Sequence, residues 1–203
     1  MPSSPTRRTQ PERTAATRSA LIAAARRLFG EVGYATVGTE RVARDAGVTR
    51  GALYHQFADK AELFAAVLHV VEEEIADRMV SAVAGRDPAD TGGLLLAGAD
   101  AFLDACGEPD LRRIVLIDGP SVLGWQRWRD ICLAHSVGLV AALLADGIER
   151  RAIPAQPVEP LTHVLVGAVD EAALYVALAD DPVQARAEVA LVLRRLVAAV
   201  TVH

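Results

Sequence analysis

Most of the chain consists of long stretches in which apolar residues recur at steps of three and four. The first such stretch places Leu21, Ala25, Leu28 and Val32 on one stripe of an α-helix. The 203 residues include only 15 Gly and 10 Pro, a composition that favours helices and argues against a β-sandwich with its frequent turns. We therefore predict an all-α fold with enough apolar material, 52% of the residues, for one or two compact domains.

Charge is distributed unevenly along the chain. The formal net charge is −5, but residues 1–60 contain ten Lys and Arg against five Asp and Glu, which gives this part a charge of +5. The remaining residues contain eleven basic and twenty-one acidic side chains and therefore carry −10. This asymmetry predicts a basic module that binds a polyanion, attached to an acidic module with another task.

Cysteine usage and the most apolar segments indicate a cytoplasmic protein. Cys106 and Cys132 form no CxxC motif, which disfavours a disulfide scaffold and a zinc site and fits a reducing compartment. Residues 1–14 are rich in Ser, Pro, Thr and Arg without an apolar core, so we expect a flexible arm and not a signal peptide. Charged pairs at residues 170–171 and 194–195 interrupt the apolar stretches, so we expect no membrane span.

Two short helices are expected at about Thr39–Asp45 and Thr49–Gln56, and the segment between them has the pattern of a helix-turn-helix. Ala43 lets two helices approach closely, Gly47 can take the positive φ that the turn requires, and Val48 fills the angle between the helices. A generic αα-hairpin would show the same spacing. The positive charge of the module and the Thr-Arg-Gly sequence that opens the second helix favour DNA binding.

From residue 20 to residue 68 the chain resembles the TetR family of one-component transcriptional regulators. The most specific parts of the match are VA at 42–43, AGVTRGALYHQF at 46–57 and DKAELF at 59–64. The resemblance implies a three-helix helix-turn-helix DNA-binding domain over residues 15–64. It also implies a helical effector-binding and dimerisation domain over residues 65–203.

Carried over position by position, the resemblance makes Thr49–Gln56 the recognition helix, with its first residues nearest the base edges. A guanidinium at Arg50 can make the bidentate contact to guanine O6 and N7. Tyr54, His55 and Lys60 match family positions that hold the DNA backbone. His55 has an alternative interpretation as a solvated surface histidine.

The chain departs from the family at Val37 and Gly38, where Thr or Ser is common. Gly38 can still serve as the N-cap of the second helix, and Thr36 or Thr39 could supply the hydroxyl that caps this helix in the family. The predicted DNA-binding residues are Thr39, Thr49, Arg50, Gly51, Ala52, Tyr54, His55 and Lys60.

The fourth helix is expected from Lys60 to about Val83, with the acidic triplet 72–74 on a solvated face. His69 and Glu72 stand three residues apart, as metal ligands can, but the chain has no Glu-x-x-His motif, which disfavours a di-iron bundle. The sequence also has no nucleophile–base arrangement and no glycine-rich phosphate loop. We therefore predict no enzyme activity, no catalytic residue, no metal and no cofactor.

Residues 121–146 are expected to form one helix that follows a helix end at residues 119–120. Trp125, Trp128 and His135 fall on one of its faces, which is either ordinary core or the wall of a cavity for a small, mostly apolar molecule. The family resemblance places a pocket among the helices that match these segments. The candidate ligand-binding residues are Phe102, Trp125, Trp128, His135 and Tyr175.

The last two helices are expected at about Leu161–Ala179 and Pro182–Val200, and the first of them is apolar nearly all round. A helix of this kind must be buried on nearly every side. The excess apolar surface suggests a partner, and the family resemblance implies that these helices form a homodimer interface. Residues 170–171 would lie at its rim, face residues 194–195, or be solvated.

These features together predict a homodimeric regulator that binds a pseudo-palindromic double-stranded DNA operator and is released by a small, mostly apolar effector. Because most proteins of this kind repress transcription, we expect a repressor. The alternative is a helical protein-interaction module, or a ligand-binding protein without regulatory DNA binding.

Overall fold

The computed structural model describes residues 10–201, and within this range the regular structure is entirely helical. The described residues divide into two compact units, one ending at Leu68 and the other beginning at His69. The predicted all-α fold is confirmed.

The first helix, α1, spans Gln10–Val32 and buries the apolar stripe around Leu28 and Phe29. Residues 10–14 of the expected flexible arm are therefore helical. Pro11 does not prevent this, because a proline in the first turn lacks an N–H that would have no partner there in any case. The remainder of the expected arm, residues 1–9, lies outside the described residues.

Helices α2, Thr39–Asp45, and α3, Arg50–Gln56, have the predicted helix-turn-helix geometry. Gly47 in the turn has φ +69°, a left-handed conformation that glycine adopts at little cost. The Val48 amide donates to the Ala43 carbonyl at 2.9 Å and closes the turn. The sequence pattern therefore predicted the turn correctly.

Helix α4 spans Lys60–Val83, the predicted range, and runs through the boundary between the two units. Its N-terminus is capped by Asp59, whose Oδ1 accepts a hydrogen bond from the Glu62 amide at 2.8 Å. In the first unit, the rings of Phe29, Tyr34 and Phe64 contact one another with centroids 5.3–5.6 Å apart. This aromatic cluster forms part of the unit's core.

The second unit contains further helices and one π-helical segment. They are α5 (Thr91–Gly107), α6 (Pro109–Arg112), the π-helical segment Arg113–Asp118, α7 (Gly119–Leu123), α8 (Trp125–Leu133), α9 (Ser136–Glu149), α10 (Val158–Leu178) and α11 (Pro182–Val200). One core cluster joins α5, α9, α10 and α11 through Leu95, Leu144, Leu165 and Val197.

The single helix expected over residues 121–146 is wrong. The chain forms α8 and α9 instead, with a bend of 60° between them. Residues 119–120 also begin a helix, α7, where a helix end was expected. The bend means that side chains spaced three and four apart across it do not share one face.

Helix α10 is long and apolar enough to cross a membrane by length and composition alone, with 21 residues and a mean hydropathy of 1.5 in its most apolar window. The charged residues at 170–171 do not exclude it, contrary to the expectation from the sequence. Core helices of soluble proteins pass the same test, so this single helix is weak evidence for a membrane span.

Candidate nucleic-acid interface and internal cavity

Helix α3 lies at the surface of the first unit, because within Arg50–Gln56 only Leu53 is buried and four of the seven residues are exposed. Thr49 precedes the helix and caps it, since its hydroxyl oxygen accepts a hydrogen bond from the Ala52 amide at 3.1 Å. Of the predicted DNA contacts, the exposed ones are Thr49, Arg50, Gly51, Tyr54 and His55, and the half-buried ones are Thr39, Ala52 and Lys60.

The Arg50 side chain is held in place on this surface. Its Nη1 donates to Glu40 Oε1 of α2 at 2.7 Å, and its guanidinium carbon lies 5.5 Å from the centroid of the Tyr54 ring. The Tyr54 and Thr39 hydroxyl oxygens are 3.2 Å apart. This hydrogen bond, and then the one with Arg50, lowers the pKa of Tyr54. The predicted base-contacting arginine therefore contacts both α2 and Tyr54 of its own helix.

Lys60 has a structural role in the first unit. Its Nζ donates to the carbonyl oxygens of Tyr34 and Val37 at 2.9 and 3.0 Å, and it lies 3.8 Å from the centroid of the Tyr34 ring. The ammonium thus ties the loop between α1 and α2 to the start of α4. Its contact with a DNA phosphate stays a prediction.

The second unit contains a cavity of about 220 Å³. Residues from α4, α5 and α8–α11 line it, together with Val115 of the π-helical segment. Most of the lining is aliphatic or aromatic, as in Met79, Phe102, Leu165 and Leu193. The polar residues of the lining lie on α4, α8, α9 and α10.

Glu72 of α4 is a buried member of that polar group, with 1% of its surface exposed. Its Oε2 accepts a hydrogen bond from Ser136 Oγ at 2.5 Å, and its Oε1 accepts one from Cys132 Sγ at 3.4 Å. Burial raises the pKa of Glu72, although these hydrogen bonds oppose the rise. The prediction that the whole triplet 72–74 is solvated is therefore wrong for Glu72.

Arg129 of α8, which is buried, and Asp170 of α10, which is half-buried, form an ion pair with Nη2 and Oδ2 3.1 Å apart. The guanidinium carbon of Arg129 lies 4.3 Å from the centroid of the Trp128 ring and 5.0 Å from that of Trp125. Burial raises the pKa of Asp170 to about 6, although Arg129 opposes this rise. Asp170 thus pairs with Arg129, an arrangement not among those expected for residues 170–171.

Two buried donors beside this pair lack an acceptor within the described part of the chain. They are Nε of Arg129 and Nε1 of Trp128. The two residues are 5% and 3% exposed, and both line the cavity. Buried donors without acceptors are uncommon in folded proteins.

Of the residues predicted to bind a ligand, the structure places Phe102 and Trp128 in the cavity lining. Trp125 contacts Trp128 but is 62% exposed, and Tyr175 is 54% exposed. His135 lies at the junction of α8 and α9, where its Nε2 is 3.0 Å from Nδ1 of His69. The bend between α8 and α9 removes His135 from the face that bears the tryptophans.

Reasoning from the sequence missed the polar residues of the cavity, Glu72, Arg129 and Asp170. One signal was available: Glu72 stands four residues after Leu68 and three before Ile75, which are both buried. It therefore continues the apolar stripe of α4, and a charged residue in such a stripe indicates a buried polar site.

Comparisons with known proteins match most of the chain to one family of bacterial regulators. Residues 21–67 match the family described as "Bacterial regulatory proteins, tetR family", and residues 94–200 match the "Tetracyclin repressor-like, C-terminal domain". A solved structure of a TetR-family transcriptional regulator from Pectobacterium atrosepticum is 30% identical, with a TM-score of 0.77 over 97% of this chain and 99% of that one.

Two curated relatives are transcriptional regulators of the helix-turn-helix type. CymR of Pseudomonas putida is 39% identical over 117 residues, which is 57% of this chain and 58% of that protein. AcrR of Shigella flexneri is 28% identical over 147 residues, 68% of this chain and 67% of that protein. The match to CymR thus spans little more than half of its length.

Proposed function

Because the chain belongs to the TetR family of bacterial regulatory proteins, we propose that it binds a double-stranded operator as a homodimer and releases it when a small molecule occupies the cavity. The observation that carries this proposal is helix α3, which presents Arg50 on the exposed surface of the first unit. We assign DNA binding to the first unit and effector binding to the second.

DNA recognition would combine base and phosphate contacts on one surface. The guanidinium of Arg50 has the fork geometry that matches guanine O6 and N7. Thr49, Gly51 and Ala52 surround the same helix end, and neither the glycine nor the alanine blocks close approach to base edges. Thr39, Tyr54, His55 and Lys60 are the candidates for phosphate contacts.

Dimerisation would bury an apolar surface of the last two helices. Val164 and Leu178 of α10 are 65% and 85% exposed, and Val183 and Val192 of α11 are 82% and 61% exposed. Large exposed apolar patches are typical of interaction sites. A two-fold dimer would present two recognition helices to successive major grooves, which requires a pseudo-palindromic operator. The interface also accounts for the apolar character of α10 in a cytoplasmic protein.

Regulation would follow from a difference in affinity between two conformations. An operator-bound dimer represses transcription by occupying the promoter region. A ligand that binds better to a conformation whose recognition helices no longer fit the groove spacing releases the DNA, and a difference of a few kcal/mol is enough. This mechanism needs no chemical step.

A selection of bound sequences from random double-stranded DNA tests the proposal, followed by affinity measurements between about 50 and 200 mM salt. We expect the selected sequences to contain two half-sites related by two-fold symmetry, with affinity that falls as salt rises. Arg50→Ala should weaken the selected site more than random DNA.

Arg50→Lys is the matched variant, because it keeps the charge and loses the bidentate fork. It should retain the salt dependence and lose much of the discrimination. A protein that shows no salt-dependent affinity for any DNA would contradict DNA binding and leave the helical interaction module as the alternative.

A further inference from the structure

We propose that the cavity takes an uncharged, mostly apolar molecule that presents a hydrogen-bond acceptor, such as a carbonyl oxygen, to Arg129 and Trp128. This inference rests on the proposed function, because it specifies the chemical class of the effector.

The polar end of the cavity has donors in excess. Nε of Arg129 and Nε1 of Trp128 are buried and have no acceptor within residues 10–201. A buried donor without an acceptor destabilises the protein, and an acceptor on a ligand removes that penalty. The excess of donors therefore selects a molecule that accepts hydrogen bonds.

The donor on Arg129 is held in a fixed position before a ligand binds. Asp170 accepts from Nη2 at 3.1 Å, and the guanidinium lies against the rings of Trp125 and Trp128. The indole of Trp128 is itself seated against Gly119, where an added Cβ would come within 2.9 Å of Nε1. Such preorganisation reduces the entropy that a ligand loses on binding.

The charges that line the cavity are already balanced. Among the described lining residues, the positive charge is that of Arg129, which Asp170 neutralises, and the other carboxyl group is that of Glu72. Burial favours the uncharged form of Glu72. A carboxylate ligand would add an unpaired negative charge beside two carboxyl groups, and a cation would lie beside Arg129. Both are costly at a buried site.

The rest of the lining is apolar and accommodates the body of the molecule. Side chains of Met79, Phe102, Leu143, Leu165 and Leu193 contribute to it. A pocket with apolar walls and a few convergent polar groups fixes the orientation of its ligand through those groups. The acceptor would therefore point to α8, with the apolar part towards α5 and α11.

Four compounds built on one phenyl ring test the proposal: acetophenone, ethylbenzene, benzoate and benzylammonium. Their affinities for the full-length protein are measured by titration calorimetry. We expect acetophenone to bind roughly tenfold tighter than ethylbenzene, which corresponds to one recovered hydrogen bond, and both ions to bind more weakly than acetophenone.

Trp128→Phe removes one donor and keeps an aromatic ring in the cavity wall, and Tyr175→Phe is the matched control, because it removes a hydroxyl from a 54% exposed aromatic residue that the structure places outside the lining. We expect Trp128→Phe to reduce the preference for acetophenone over ethylbenzene and Tyr175→Phe to preserve it. Unchanged binding of ethylbenzene to Trp128→Phe shows that the cavity is intact in that variant.

Equal affinities for acetophenone and ethylbenzene would overturn the proposal, as would tighter binding of benzoate or benzylammonium, or no binding of either uncharged compound. Release of the selected DNA is scored separately. If acetophenone shows the expected preference but leaves DNA binding unchanged, the acceptor site stands and the effector role fails. If ethylbenzene and acetophenone bind equally and both release DNA, the effector role stands and the acceptor site fails.

Discussion

Among single residues, the ion pair between Arg50 and Glu40 is the contact that we expect to adjust how the proposed recognition helix α3 binds DNA. Both side chains are more than half exposed, and exposed pairs of this kind contribute only about 0.2–1 kcal/mol. Glu40 therefore competes weakly with phosphate for Arg50. In the proposed complex its negative charge would also repel the DNA backbone.

We expect Glu40→Gln to tighten binding to random DNA by up to about fivefold and to lower the preference for the selected site. Fluorescence anisotropy with both DNA types at two salt concentrations measures this. Glu31→Gln is the control, because it removes the same charge from the partner of a different arginine, Arg27. If Glu40→Gln weakens binding to the selected site but does not change binding to random DNA, Glu40 positions Arg50 for base contact.

Lys60 is expected to contribute to stability whether or not it also binds DNA. Lys60→Met leaves the carbonyl oxygens of Tyr34 and Val37 without their charged donor, and hydrogen bonds to charged groups are worth about 1.5–3 kcal/mol. Urea unfolding should show a loss of that order. Arg44→Met, which removes a cation that is 72% exposed, should leave stability nearly unchanged. Normal stability of Lys60→Met with lost DNA binding would make phosphate contact its main role.

The sequence revealed the residues of the turn but not the polar pairs of the cavity, for a physical reason. The helix-turn-helix depends on residues that are close in sequence. Gly47 adopts the left-handed conformation of the turn, and the Thr49 hydroxyl caps the helix that follows. Arg129 and Asp170 are 41 residues apart, and Glu72 is 64 residues from Ser136. Periodicity shows which face of a helix is buried but does not show which distant side chain meets a buried charge.

At the scale of elements, the junction of α8 and α9 is where reasoning from the sequence failed. No proline or glycine stands at the break itself, so the apolar period continued through it. The signal lies at Gly138, where an added Cβ would come within 2.5 Å of the Leu133 carbonyl oxygen. The glycine permits the close turn, and hydrogen bonds from the junction to α4 stabilise it.

Helix α7 is expected to tolerate no side chain at Gly119. A Cβ there would lie 2.7 Å from Cδ1 of Trp128 and 3.0 Å from the Ile114 carbonyl oxygen. We expect Gly119→Ala to cost about 1–3 kcal/mol of stability and to weaken binding of acetophenone, because the indole has to move. Thermal unfolding and calorimetry measure the two effects.

Gly107→Ala is the matched control for this substitution, since an added Cβ at Gly107 meets nothing within 4 Å. Its stability should be unchanged or slightly higher, because alanine favours helix over glycine. Equal stabilities of the two variants would show that the Trp128 ring adapts without cost.

The contact between α4 and the α8–α9 junction predicts a dependence of stability on pH. Burial, and then the charges of His135 and Arg127, lower the pKa of His69 from its ordinary value of 6.5. The unfolded chain therefore binds a proton more readily than the folded protein, and stability falls as the pH drops below about 6.5. The pKa of Asp170 is raised in the folded protein, so its protonation increases stability as the pH drops. The contribution of His69 is therefore measured as a difference between variants.

Between pH 7.5 and pH 5, the free energy of unfolding should decline less in His69→Gln than in the original protein. His163→Gln of α10 is the control and should show the original decline. Urea unfolding at several pH values measures the difference in slope. A decline as steep in His69→Gln as in the original protein would assign it to other groups.

For the whole molecule, the distribution of charge and of exposed apolar surface supports the proposed separation of two tasks. The basic residues 1–60 include the candidate DNA contacts, and the acidic remainder contains the cavity and the apolar helices α10 and α11. Composition alone, with a net charge of −5, would have argued against DNA binding. Charge and hydropathy are properties of long segments, so the predicted division of tasks does not depend on the position of any single helix.

The proposed dimer depends on an apolar surface of α10 and α11, so a charge placed on that surface should dissociate it. Val192 of α11 is 61% exposed, and a carboxylate there would be buried without a partner in a dimer formed by α10 and α11. We expect Val192→Glu to be monomeric in sedimentation experiments and to bind the selected operator roughly 100-fold more weakly, because the second half-site no longer benefits from the first. Ile117→Glu places the same charge at an apolar residue that is 50% exposed on the π-helical segment, and it should remain dimeric with normal affinity. If Val192→Glu remains dimeric and binds normally, another surface forms the dimer, and the exposed apolar face of α10 and α11 needs a different partner.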